Sequence, residues 1–360
     1  MTFRRKVRIT WGNRGVEYNK KNKFDKKYDI RMARYDEVDE IMQFLDMHWK
    51  KGHILARDRT FFEYEMVPDG QVNFVIAKDW SNGEIQGLHG FVPASNNRYK
   101  RDAWGSIWKI VPGSMGMLGL EIIKRLEVIN ELRTCLSIGG NPETTVPLLK
   151  YVRHFEDVGK MEHFYCLSLQ EEYLIAKVGH KVSFTVNQDY NTNIVQYDNY
   201  KQLKEDYDFS NSDEAFPYKD GWYINHRYFE NPIYHYLIYG LRSKPSEKKS
   251  SALLIAREQK HNGGVALRLV DYIGKAELFA GLSLFFQDSL NRYEYIDFYC
   301  YGFNTEYVKR AGMIKIEDND TNIIPNYFYP YVAQNIDIYV GTPKGRAVFF
   351  KADGDQDRPN

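Results

Sequence analysis

The apolar positions between residues 28 and 169 switch repeatedly between period two and helical spacing. Residues 28–33 read as a short strand. Val38, Ile41, Met42, Leu45 and Trp49 mark one face of a helix that Gly52 ends, and 61–66 predicts a second short helix. Strands over 72–77 and 85–92 flank the turn Trp80-Ser81-Asn82-Gly83 and make a hairpin. Residues 104–111 alternate and end in β-branched side chains, whereas Leu118, Ile122, Ile123 and Leu126 fall at helical spacing. A buried strand over 132–138 then closes on Gly139-Gly140-Asn141-Pro142, followed by a helix over 143–154 and a strand over 163–169.

Residues 170–220 are polar and less periodic, with 187–193 and 206–214 reading as connecting loops, and after them the same order begins again. It predicts a helix over 221–230, strands over 234–241, 252–257 and 265–271, a helix over 276–290, a strand over 295–299 and a helix over 305–311. Residues 336–340 and 347–350 read as a terminal strand pair. The expected division is a basic extension at 1–27, a first unit at 28–180, a connecting region at 181–220 and a second unit at 221–360.

The stretch from Trp104 to Glu127 is a strand, a glycine loop and a helix. Gly113, Gly116 and Gly119 let the backbone approach a ligand closely, and the helix that follows aims its unpaired N–H groups and positive dipole end at it. An anion suits that place; an ordinary strand-to-helix turn is the plainer alternative. The second unit makes the corresponding passage through Leu269-Val270-Asp271-Tyr272-Ile273-Gly274, with one glycine and an acid where a phosphate would sit.

This order, with the loop after the fourth strand, resembles the GNAT superfamily of acyl-CoA-dependent N-acyltransferases. The resemblance implies an α+β fold of two GNAT-like domains, each a twisted, mostly antiparallel sheet flanked by helices. It also implies that Ile110, Val111, Gly113, Ser114, Met115, Gly116, Met117, Leu118 and Gly119 hold the coenzyme A pyrophosphate and pantetheine, with Asn141 as a further contact. Val111-Pro112 matches the family's strand end and Gly116 its first motif glycine. Gly113 stands where Gln or Arg is usual, Leu118 where a second Gly or Ala is usual, and the Tyr that often serves as general acid is absent. A tandem arrangement with an acidic end is similar to bacterial N-acyltransferases of surface-polysaccharide pathways, which implies a nucleotide-linked amino sugar as acceptor.

Composition narrows the partners. The formal net charge is +1, so no global field recruits nucleic acid or membrane. The basic residues of 1–27 read as a solvated extension or an edge strand at 7–10, and they alone keep alive the rival of an aminoacyl-tRNA-dependent transferase. A carbohydrate-binding protein with a decayed loop is the non-enzyme rival. Three widely spaced cysteines fit reduced thiols in the cytoplasm and argue against a zinc site or an acyl-cysteine intermediate. No apolar run reaches membrane-spanning length. The sequence leaves self-association open.

Acyl transfer to an amine needs a deprotonated amine, an oxyanion partner and alignment. Backbone N–H groups of 108–111 are the oxyanion candidates that the resemblance implies. His53, in the connection between the first two helices, and His89, on the third strand, are the candidate bases, His53 preferred; for each, a structural or substrate-contacting role is the plainer reading. Arg227, Tyr228, His235, Asp353, Asp355, Asp357 and Arg358 are the candidate acceptor-binding residues. The Asp-x-Asp-x-Asp run lacks the later Glu of a calcium loop, so no metal is assigned.

Overall fold

The computed structural model describes residues 22–97, 99–212, 215–343, 345 and 347–359, together with the backbone of the hairpin at Arg8–Trp11 and Arg14–Glu17. The remaining basic residues of the first 21, and Asp213 and Glu214 of the expected loop, lie outside the described residues. The strands of the two main sheets are β1 (Tyr28–Met32), β2 (Phe74–Asp79), β3 (Ile85–Pro93), β4 (Asp102–Ile110), β5 (Thr134–Ile138), β6 (Asp157–Lys160), β7 (Glu162–Leu167), β8 (Asn193–Tyr197), β9 (Tyr236–Arg242), β10 (Ala252–His261), β11 (Gly264–Gly274), β12 (Tyr295–Tyr301), β13 (Ile314–Lys315), β14 (Tyr339–Thr342) and β15 (Phe349–Phe350). The helices used below are α1 (Val38–Phe44), α2 (Ile54–Arg57), α3 (Arg59–Met66), α4 (Leu118–Ile129), α5 (Tyr200–Asp206), α6 (Gly221–Ile224), α7 (Ser283–Ser289) and α8 (Thr305–Arg310).

The first sheet runs β1-β2-β3-β4-β5-β14-β6, and the second β8-β9-β10-β11-β12-β7-β13 with β15 alongside β12. In each sheet the pairing is antiparallel except between the fourth and fifth strands, β4 with β5 and β11 with β12. The α+β fold of two like sheets is therefore as expected.

The expected division does not describe how the strands are shared. β7, from the first half, sits between β12 and β13 of the second sheet; β14, from the second half, sits between β5 and β6 of the first. Each sheet thus receives one strand from the other half, at the same position. Residues 339–342 and 349–350 consequently do not pair with each other, because one strand goes to each sheet. The stretch read as connection also holds β8, the edge of the second sheet, and α5. β8 packs Val195 and Tyr197 on one core and Ile194 on the other, so no apolar–polar alternation marks it. The helix expected over 276–290 is a tight turn over Ala276–Gly281 followed by α7.

Period two sorts the first sheet's core. Phe74, Ile76 and Leu88 pack under Val38, Ile41, Leu55 and Phe62 of α1 to α3, while Val75, Ala77 and Ala103 pack under Leu118, Ile122 and Leu126 of α4. Between the sheets lies a shared core that contains Trp104 and Ile138 of the first, Tyr236, Ile255 and Val270 of the second, and Tyr223 of α6. Burial of so many large side chains across the join makes the two sheets one folded body.

Candidate active site

β4 and β5 pair only from Asp102 to Trp104, opposite Thr134 to Leu136, and then part, β4 continuing to Ile110 against β3 alone. The opening leads to the glycine loop. Gly113 has φ +89°, a conformation that costs a side chain but not a glycine. Gly119 lies so close to the Trp108 ring that a Cβ would come within 2.6 Å of it, so packing of helix on strand accounts for that glycine. Gly116 differs: a Cβ there would meet nothing within 4 Å. Met117 takes a left-handed φ of 70° immediately before α4 and is exposed. The first turn of α4 offers amide N–H groups without intrahelical partners. Glu121 in that turn is buried and neutralised by Arg125 at 2.9 Å. These features fit an anionic group at 116–119 bound by the backbone. Asn141 is exposed and uses its Oδ1 to accept from the amides of Glu143 (2.8 Å) and Thr144 (3.1 Å).

On the other side of the first sheet, a cleft of about 460 Å³ lies between the sheets. Trp49, Lys50, His53 and Ile107 line it from the first half, Tyr234, Arg257, Gln259 and Arg268 from the second, and residues 351 and 355–358 pass through it. Tyr327, Phe328 and Tyr329 complete an aromatic wall. The 351–358 segment is locked in place. Asp353 lies 2.6 Å from Lys219, Asp357 receives Arg257 at 2.7 Å, Asp355 accepts from Ser106 at 3.1 Å, and Arg358 pairs with Glu65. Gly354 packs against Trp104 and Ile138, where the two strands part. This run is a built wall of the cleft and not a frayed tail.

Of the candidate residues, the structure brings His53, Asp355, Asp357 and Arg358 together in that cleft. His53 caps α2, its Nδ1 accepting from the Leu55 amide at 3.3 Å, which leaves the ring proton on Nε2. Burial, then Arg358, lowers its pKa to about 4. His53 is thus a neutral donor at neutral pH and a poor base. His89 lies on the opposite face, between Gly105 and Trp108, with its Nδ1 buried and unpartnered. Burial, then Arg153, lowers its pKa to about 3. It does not line the cleft.

Four acceptor candidates are placed elsewhere. Arg227 is buried and donates to the carbonyl oxygens of Ala352 (3.1 Å) and Gly354 (3.4 Å), so it holds the 351–358 segment. Tyr228 donates to Asp271 in the shared core. His235 is exposed, because the alternation that begins β9 turns Tyr236 inward. Asp353 is consumed by Lys219 and the Phe350 amide. Asp271, expected at the second loop, is inside β11 and paired with Lys219 at 2.6 Å.

The cleft's other polar residues were missed from sequence. Arg257 and Arg268 interrupt the apolar runs of β10 and β11, and an arginine inside a buried strand was the available signal. Arg268 pairs with Asp297 at 2.8 Å, and Asp297 in turn meets His163 at 3.2 Å. Cys135, Cys166 and Cys300 are buried and free; burial pushes Cys135 up to about 12, so it stays a thiol.

A fourth strand that parts from the fifth, a glycine loop and a helix give the first unit the fold of the GCN5-related N-acetyltransferases, and the second sheet repeats its strand order without the glycine loop. Two solved structures share it across most of their length. One, from Enterococcus faecalis V583, is a conserved protein of unknown function described as a probable N-acyltransferase; it is 11% identical, the match covers 87% of this chain and 72% of that one, and the TM-score is 0.50. The other, a GCN5-related N-acetyltransferase from Anabaena variabilis, is 10% identical, with 88% and 73% covered and a TM-score of 0.50. No family model and no curated protein matches the sequence. Among the described residues no helix is long and apolar enough to cross a membrane.

Proposed function

We propose that this protein is an acyl-CoA-dependent N-acyltransferase acting on the amine of a nucleotide-linked amino sugar. One observation carries the reading: the gap between β4 and β5 begins at the glycine loop and borders, through Ser106 and Ile107, the polar aromatic cleft. An acyl thioester lying along the gap would present its carbonyl to an amine held in the cleft. Ring-faced sugars suit the wall of Trp49, Tyr234, Tyr327 and Tyr329, and their hydroxyls suit the hydrogen-bonding groups among Gln259, Asn326, Asp355 and Asp357. Attack is direct, since each described cysteine is buried as a protonated thiol. Free buried thiols support a reducing compartment, the cytoplasm.

The test is release of free coenzyme A thiol from a panel of acyl-CoAs, each offered amino-sugar nucleotides, free amino sugars or no acceptor. Acceptor-dependent release, strongest with the nucleotide-linked sugars, is expected. Equal release with and without acceptor would end the proposal.

A further inference from the structure

The three arginines that line the cleft each have an anionic partner: Arg257 with Asp357, Arg268 with Asp297, Arg358 with Glu65. Lys351 does not. The residue is 3% exposed, its Nζ donates to the main-chain oxygen of Gln356, and among the described residues no carboxylate comes within ion-pair distance of it. An ammonium held so deep without a counter-ion is costly, and such a group avoids the cost by giving up its proton. Its neighbours decide the balance. Arg268 of β11 and Arg257 of β10 oppose its charge, Asp357 of its own segment and Asp297 of β12 favour it, and His163 of β7 lies near enough to feel it. Burial leads, Arg268 follows, and the lysine is brought down to about 7.

Its place is as telling as its surroundings. Gln356 accepts from Lys351 with its main-chain oxygen, while its side-chain amide sits against Gly139 at the end of β5, where a Cβ would lie 2.1 Å from it. One glutamine therefore spans the distance from Lys351 to the rim of the gap between β4 and β5.

We propose that Lys351, as a neutral amine, is the general base that takes a proton from the acceptor's ammonium group. The inference rests on the acyl-transfer reading above. The ammonium gives one proton to the Lys351 lone pair; the freed amine attacks the thioester carbonyl; the N–C bond forms and the C–S bond breaks. The nitrogen's second proton goes to the leaving thiolate, giving coenzyme A as the thiol, and Lys351 returns its proton to water through the open cleft. His53, with its Nδ1 occupied, is on this account a hydrogen-bond donor to the acceptor.

Two measurements test the assignment. In the wild-type protein, carbamylation of Lys351 by cyanate, followed by peptide mass spectrometry across pH, should reach half its maximal rate near pH 7. A midpoint at the ordinary lysine value of about 10.4 would overturn the proposal. Lys351→Arg keeps the cation and cannot deprotonate in this range; it should lower kcat by roughly 10² to 10⁴ while acetyl-CoA binding by calorimetry is kept. If the wild type releases thiol with an amino-sugar acceptor and a folded Lys351→Arg variant does so at the same kcat, the base role alone falls. If the wild type shows no acceptor-dependent release at all, the acyl-transfer reading falls and the base role goes with it, whatever pH the cyanate midpoint gives.

Discussion

At the scale of single residues, the histidines show how far a side chain's chemistry depends on surroundings that a sequence does not spell out. A histidine with an ordinary pKa near 6.5 is a natural base. Capping of α2 and burial deny His53 that role, and the α4 face of the sheet denies it to His89. His53→Asn should therefore raise KM for the acceptor several-fold and leave kcat nearly unchanged; a hundredfold fall in kcat would restore it as base. Both rings also affect stability. Their folded pKa values lie below the unfolded value, so the unfolded chain binds protons first, and stability is full above pH 6.5 and falls as the pH drops toward 4 and 3. His89→Leu also removes an unpartnered buried nitrogen, and should flatten that fall by an amount on the order of a few kcal/mol. Urea midpoints measured between pH 7 and pH 4 would show it; identical slopes for mutant and wild type would refute it. His53 was legible as a cleft residue because its position between two helices is local. Lys351 was not, because its burial depends on β10, β11 and β12, which are distant in sequence.

At the scale of elements, the passage from β4 through the loop into α4 was the most legible part of the chain. Its signals are local: alternation, then glycines, then helical spacing. What sequence did not separate was the purpose of each glycine. Gly119 is required by the Trp108 ring, whereas Gly116 faces open space. The two substitutions should therefore fail in different ways. Gly116→Asp should fold normally and weaken acyl-CoA binding by about 2 kcal/mol, the scale of one lost charge-assisted hydrogen bond. Gly119→Val should lower the melting temperature whether or not coenzyme is present. Calorimetry on a folded Gly116→Asp variant showing undiminished affinity would remove the loop from the site. In the second unit, the acid that sequence placed at the turn is neutralised inside β11 by Lys219.

At the scale of the whole molecule, the parting of β11 from β12 is where a second coenzyme would enter, and the chain itself fills it. β15 pairs with β12 at Cys300 and Tyr301, and Ala352 donates to the Val270 carbonyl at 2.7 Å. Titration of acetyl-CoA should therefore give one site per chain, and two equal sites would contradict this account. That two like sheets are present was legible from the repeated order of elements. Their exchange of β7 and β14 was not, since a strand's pattern states which faces it buries but not which neighbours it joins.

The exchange bears on how the molecule is made. Residues 339–342 complete the first sheet, and 349–358 close the second sheet and wall the cleft, so neither half has its full set of neighbours until residues 339–358 have left the ribosome. Vectorial folding, one half settling before the next is synthesised, is the common route for chains with two separable halves. Here a nascent chain stopped before residue 339 exposes the edge of β5 on one sheet and an unfilled gap on the other. Its two sheets are completed only when β14 and β15 emerge, and a product truncated before residue 339 is a candidate for aggregation and proteolysis.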